Sequence, residues 1–330
     1  MPKILWIGRP FLASFFAPHA EVVHVPNPDA AHLLAEHKDA DFAITLNADI
    51  AEIQWRRPLL AICRNLGIPR CHWNIDDPNH WAYFGAAVRR IDYDFVFSSD
   101  LRCLPQYKQR TFQHPRVRFY QVMWLPLAAA PEYHRPLSLA EGAADFVLVA
   151  QSYLHWPARQ AAARELVRPI LAAGHSLKLF CPEGGWAEEP EIAAHRVGGE
   201  CYTEDCAEHY RHGHIALGMN CQAGMNVDMY HGTTMTSMRT FEALACGKPL
   251  LAYQSTAYAQ LGFENGLHFR WIGSGGEAVD CARQMLNGDA TAAVMAEEGR
   301  QFVLANHTYA HRLDRMLRAV HGKAKAEAWA

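Results

Sequence analysis

The chain has 330 residues, too many for one ordinary domain and comfortable for two at ~150 residues each. Half of it is apolar, 11% aromatic and 20% charged, which excludes disorder, collagen-like repeats and coiled coil and leaves enough apolar surface for two cores. Lys and Arg number 31 against 34 Asp and Glu, a net charge of −3, so no global positive field draws the chain to nucleic acid or acidic lipid.

Short apolar runs alternate with longer helical patterns, the signature of β-α-β units around parallel sheets. The first run, Ile4–Ile7, briefly imitates a signal peptide, but Arg9-Pro10 cuts it short and a buried strand is predicted instead. Further strands are predicted at Glu21–Val25, Asp41–Leu46, Pro69–Ile75, Asp94–Ser98 and Arg118–Leu125. Helices fall between them at Asp29–His37, Gln54–Leu66, His80–Arg90 and Leu101–Phe112. Residues 126–136 carry three prolines and no period, and read as an interdomain joint. The pattern then restarts, with strands at Asp145–Ala150, Leu177–Cys181, Ile215–Met219, Leu250–Tyr253 and Leu267–Trp271. Helices are predicted at Pro157–Ala172, Asp205–Arg211 and Ser237–Cys246, the last stopped by Gly247, and the chain ends helical. The expectation is an α/β protein of two Rossmann-like domains: 1–130, a linker over 131–141, 142–306, and a helical tail over 307–330 placed to pack back towards the first domain.

No apolar run approaches the ~18 residues of a membrane span. Nine cysteines, an odd number with no C-x-x-C pair, suit reduced and buried thiols. Both point to a soluble, cytoplasmic protein.

Parallel α/β sheets bind ligands at the carboxyl ends of their strands. Neither Gly8-Arg9-Pro10-Phe11 nor Gln151-Ser152-Tyr153-Leu154 is a G-x-G-x-x-G dinucleotide turn, and no P-loop occurs, which argues against NAD enzymes and P-loop phosphotransferases. The informative stretch runs from His231 to Ala252. Gly232, Thr233, Thr234, Thr236 and Ser237 crowd a helix start, where free amides and the positive dipole end favour an anion such as a diphosphate. Glu242, four residues after Met238, shares that helix's inward face and needs a partner: an Arg, a backbone donor or ligand hydroxyls. A capped amphipathic helix with an internally paired Glu explains the same residues.

Asp76-Asp77-Pro78-Asn79-His80 follows a strand whose end faces a ligand-binding edge. Paired carboxylates beside a His suit a base for a hydroxyl nucleophile or stabilisation of a sugar cation. Asp77, nearer the helix start, is preferred over Asp76; the alternative is an Asp-Pro turn with Asp77 as a cap. Asp92-Tyr93-Asp94 has the D-x-D form of metal-dependent sugar transferases but opens a strand, the wrong end for a site. His209, His212 and His214 lack a second pair of ligands at metal spacing. No metal site is expected.

The segment Ser237-Met-Arg-Thr-Phe-Glu-Ala-Leu-Ala-Cys-Gly-Lys-Pro-Leu-Leu251 resembles the nucleotide-sugar signature of GT-B glycosyltransferases, specifically the spore maturation protein CgeB-like family. Trp73-Asn-Ile-Asp-Asp-Pro78, Tyr93-Asp-Phe-Val-Phe97, Leu125-Pro-Leu-Ala-Ala129 and His134-Arg-Pro136 also match. So do Gly262-Phe-Glu-Asn-Gly266 and His307-Thr-Tyr-Ala-His-Arg312. The resemblance covers residues of both halves from about 73 to 316, and implies two Rossmann-like domains facing across a cleft. It implies a nucleotide-sugar donor in the second domain, a UDP-sugar before a dTDP- or GDP-sugar, and the acceptor mostly on the first. It implies that Glu242 holds the donor's ribose hydroxyls, since a carboxylate accepts two at once. Related enzymes often carry a second Glu eight residues earlier, facing the sugar; here that place is Thr234. Gly232, Thr233 and Thr234 become phosphate or sugar contacts, and Arg239 and Arg159 candidate diphosphate clamps that replace a metal. The base would lie near Phe180–Trp186. The expected activity is metal-independent hexosyl transfer to a protein, glycan or small molecule, with no resident cofactor. The rivals are a two-domain sugar-nucleotide epimerase and a non-catalytic nucleotide-sugar binder.

Overall fold

The computed structural model describes residues 1–47, 50–77, 88, 91, 93–105, 107–108, 121–151, 157–199, 204–219, 236–287 and 290–322. These divide into two compact units, one of Met1–Pro126 with the helix Tyr309–Val320, the other of Leu127–Thr308. The division falls at Pro126, so the Pro-rich segment expected as a linker belongs to the second unit, where His134 is buried.

In the first unit, β1 (Lys3–Ile7), β2 (Glu21–Val25), β3 (Phe42–Leu46), β4 (Arg70–Asn74), β5 (Phe95–Ser98) and β6 (Gln121–Trp124) form one sheet in the order β2-β1-β3-β4-β5-β6. Every pairing is parallel, with Leu5 opposite Val23 on one side and Ala43 on the other. β3 is buried at every residue, which is why Phe42–Leu46 reads as a largely apolar run rather than an alternating one, and β4 is as fully buried although Arg70, His72 and Asn74 are polar. On one face Trp6, Phe16, Trp73 and Tyr309 interlock, with ring centroids 5.5–6.4 Å apart across Trp6–Phe16, Phe16–Tyr309 and Trp73–Tyr309. On the other face Leu5, Ile7, Ala43 and Val96 pack under the helix Ile50–Asn65.

The second unit repeats the plan. β7 (Ala144–Val149), β8 (Leu177–Phe180), β9 (Arg196–Gly198), β10 (Gly213–Gly218), β11 (Leu250–Tyr253) and β12 (Arg270–Ile272) lie in the order β12-β11-β10-β7-β8-β9, again all parallel. The helix expected over 157–172 is observed with a π-helical middle: Pro157–Ala162, Ala163–Val167 and Arg168–Ala172 follow without a break. The 29–37 helix instead splits into a 3₁₀ turn, Pro28–Ala30, and a short helix, His32–Glu36. β9 has no counterpart among the predicted strands; three residues with exposed Arg196 and Val197 at a sheet edge carry no apolar pattern. Gly247 (φ +67°) closes the Met238–Ala245 helix in the left-handed region that glycine adopts freely. Of the predicted 80–90 helix only Val88, helical and buried, is among the described residues. No helix among them is long and apolar enough to cross a membrane.

Candidate functional site

Each sheet has one place where successive connections leave in opposite directions, between β1 and β3 in the first unit and between β7 and β10 in the second. Such switch points open a crevice at the carboxyl ends of the strands. Residues singled out from the sequence cluster at both.

In the second unit the Met238–Ala245 helix follows β10, with Ser237 as N-cap accepting from the Arg239 amide at 3.3 Å. Its inward face carries Phe241, Leu244, Ala245 and Glu242, the last with no exposed surface at all. Glu242 Oε2 accepts from Arg239 Nη1 at 2.6 Å and from the Cys206 thiol at 3.2 Å. Oε1 is buried with no hydrogen-bond partner among the described residues. The group facing it is His134 Nε2, 3.9 Å away and itself enclosed. His134 Nδ1 accepts the Ala130 amide at 3.0 Å, which leaves the ring proton on Nε2, directed at that oxygen. The carboxylate raises the Arg239 guanidinium above its ordinary range, and burial pushes the Cys206 thiol well up, so this cysteine is no nucleophile.

Arg159 is buried beside the loop after β7 and donates Nη1 to Gln151 O at 2.9 Å. Trp186 is core, its indole donating to Ala150 O at 2.8 Å. Lys248 is buried and donates to Gly213 O at 2.9 Å, a structural duty that the sequence did not suggest. Gly232, Thr233 and Thr234 lie outside the described residues.

In the first unit the two aspartates part company. Asp77 is wholly buried and accepts from Asn74 Nδ2 (2.7 Å), Ser98 Oγ (2.7 Å) and Tyr107 OH (3.0 Å). Burial, with the nearby Asp100 and Asp76 carboxylates adding to it, pushes its carboxyl well above the usual carboxylate range. Asp76 is half-exposed, accepts from Asn47 Nδ2, and lines a cavity of about 260 Å³. That cavity lies at the switch point: Arg9 follows β1, Leu46 and Asn47 end β3, and Ile75 and Asp76 follow β4. Glu52 and Arg56 reach it from the Ile50–Asn65 helix, and Phe11 stands at its mouth. Arg56 is almost fully buried and donates to Leu46 O at 2.8 Å, Asn47 O at 3.1 Å and Glu52 at 3.0 Å. Beneath it Thr45 bridges His72 Nδ1 (2.8 Å) and Tyr93 OH (3.0 Å), and burial with nearby Arg56 lowers the His72 imidazole to about 3. Sequence reasoning missed Arg9, Phe11, Asn47, Glu52 and Arg56, which share no motif and converge only through the sheet. His80 lies outside the described residues.

Asp94 of the D-x-D forms a bidentate pair with Arg70 (2.9 Å twice) at the opposite end of the sheet; Asp92 lies outside the described residues. His209 packs edge-on against Phe180 at 4.5 Å. Among the described residues no three His, Cys, Asp or Glu side chains are grouped to hold a metal.

Two all-parallel six-stranded α/β units in one chain make the architecture of GT-B glycosyltransferases. A family profile described as glycosyl transferase-like matches residues 159–318, the part that carries Glu242. An α-glucosyltransferase solved with UDP-glucose and DNA superposes with a TM-score of 0.69 at 11% identity, over 97% of this chain and 99% of its own. HepE from Anabaena, solved with UDP and glucose, superposes with a TM-score of 0.61 at 12% identity, over 97% and 100%. Sucrose-phosphate synthase from Thermosynechococcus elongatus gives 0.55 at 11%, over 98% and 100%. These likenesses establish the fold. No curated protein sequence matches the chain.

Proposed function

We propose that this chain is a glycosyltransferase that takes a sugar from a nucleotide-sugar donor, a UDP-sugar in the first instance, without a metal ion. The observation that carries the reading is Glu242, a fully enclosed carboxylate with one oxygen satisfied and the other making no hydrogen bond among the described residues, with His134 Nε2 facing it from 3.9 Å. A buried acceptor left open is costly unless a ligand completes it, and a ribose hydroxyl is such a ligand. Arg239, holding the other oxygen, orients the carboxylate, while Arg159, Gly232, Thr233 and Thr234 are assigned to the diphosphate by their places in the sequence.

In the first unit the acceptor hydroxyl meets Asp76 rather than Asp77. Sequence position favoured Asp77, but the geometry favours its neighbour: Asp76 borders open volume, whereas Asp77 is enclosed by three donors. Asp76 takes the hydroxyl proton, His80 follows four positions on in the sequence, and the buried Asp77 fixes the end of β4 through Asn74 and Ser98. Calorimetric titration of UDP into the protein, with and without EDTA, tests the reading. Binding that survives EDTA and vanishes in Glu242→Ala is expected. Binding that needs Mn²⁺ would return the argument to a metal mechanism.

A further inference from the structure

We infer that the group entering the first unit is a neutral, hydroxyl-rich ring of about monosaccharide size, held between Phe11 and Asp76. This rests on the reading of the first unit as the acceptor side. The cavity of about 260 Å³ falls below the ~300 Å³ at which pockets for drug-sized ligands begin, so it admits a compact group and not an extended apolar one.

The charges of its described lining residues balance. Glu52 lies between two guanidiniums, 3.4 Å from Arg9 Nε and 3.0 Å from Arg56 Nη2, and Asp76 stands opposite on the β4 loop. Among the described lining residues two cations stand against two anions, which favours neither a phosphate nor an amine. What they offer is directional: carboxylate and amide oxygens accept hydroxyl protons, and guanidinium N–H groups donate to hydroxyl oxygens. Asn47 joins Asp76 to the Ile75 amide, which it binds at 2.9 Å, so the Asp76 carboxylate is braced.

The apolar side is built with equal care. Phe11 is 46% exposed at the cavity mouth. Single exposed apolar residues are ordinary, but the backbone beside this one is not. Leu12 has φ +66°, the one positive value among the described non-glycine residues, and its side chain is buried. Residues held in that region cluster where a site over-determines them. Burying Leu12 in this conformation turns Phe11 outward, over the opening. Gly8, at φ +103°, lets the same loop lie on Arg56; a Cβ there would stand 2.6 Å from Nη2. An aromatic face above braced carboxylate and amide groups matches a pyranose, whose C–H face is apolar and whose rim is hydroxyl.

Saturation-transfer difference NMR on the full chain tests this, with methyl glycosides of glucose, galactose, mannose and N-acetylglucosamine as probes. Methyl glucuronide, glucosamine and a short oligothymidylate are the charged controls. Saturation should reach the ring protons of at least one neutral glycoside. Affinity should fall about fivefold in Phe11→Ala, recover in Phe11→Trp, and fall in Asp76→Asn, with UDP affinity unchanged in all three. Three outcomes overturn the inference: no neutral glycoside binds, a charged control binds with the same dependence on Phe11, or Phe11→Ala binds like the parent. Sugar binding without UDP binding would instead remove the transferase reading and leave the sugar pocket standing.

Discussion

Asp77 in the first unit and Glu242 in the second are both carboxylates sealed from solvent on α/β units of one plan, yet their surroundings are opposite in kind. Asp77 is held by an amide and two hydroxyls, all neutral, on both of its oxygens. Glu242 is held by a guanidinium and a thiol on one oxygen while the other faces an imidazole at 3.9 Å. The first is a closed network that fixes a loop. The second is a charge anchored on one side and open on the other, which is how a binding group differs from a structural one at equal burial.

The largest effect should come from breaking the open pair. Glu242→Gln removes one partner of the buried pair with Arg239, which costs about 3–5 kcal/mol of unliganded stability. Nucleotide affinity should also fall at least about tenfold, equivalent to about 1.4 kcal/mol. The double variant Glu242→Gln with Arg239→Gln separates the two: melting temperature should largely recover while calorimetric UDP affinity stays low. Recovery of both would make the pair merely structural.

Asp77→Ala comes next. It strands three buried donors, so a loss of about 3 kcal/mol in urea unfolding is expected, with UDP affinity unchanged. Asp77→Asn should be milder, because it keeps an acceptor oxygen and never has to bury a charge.

The smallest effect is a pH dependence set by His72. Unfolded, its imidazole titrates near 6.5; folded, burial and Arg56 hold it down to about 3. The unfolded chain therefore binds more protons between those values, so this contribution is fully present above pH 6.5 and is lost as pH falls towards 3. The slope reaches at most about 1.4 kcal/mol per pH unit. Asp77, raised instead, acts with the opposite sign and is lost as pH rises through its folded value. Comparing urea midpoints of the parent and His72→Asn at pH 7 and pH 5 isolates the histidine. The parent should weaken at the lower pH by more than the variant.

The sheets were legible because strands buried on both faces, such as Phe42–Leu46 and residues 146–149, are written as largely apolar runs. Glu242 was legible as an inward residue from its spacing to Met238, and the Arg239–Glu242 pair at i,i+3 was within reach of the same periodicity. Cys206 and His134 were not, since they meet Glu242 from 36 and 108 positions upstream, 242 − 206 and 242 − 134, and nothing local marks them. Sequence position preferred Asp77 to Asp76 but could not show their surroundings. Adjacent residues of a loop point different ways, and only the fold shows that Asp77 meets Ser98 and Tyr107 while Asp76 meets Asn47 and lines a cavity.

The helix Tyr309–Val320 bears on how the chain is made as well as on what it does. Tyr309 completes the aromatic layer beside Phe15, Phe16 and Trp73, and buried Arg312 closes the end of the last strand by donating to Pro126 O at 2.7 Å. During synthesis the sheet of the first unit emerges early, but the side chains that finish its core leave the ribosome only after the whole second unit has appeared. The N-terminal half thus spends most of translation with Trp73 and Phe16 uncapped. It reaches its final packing last, although it begins first.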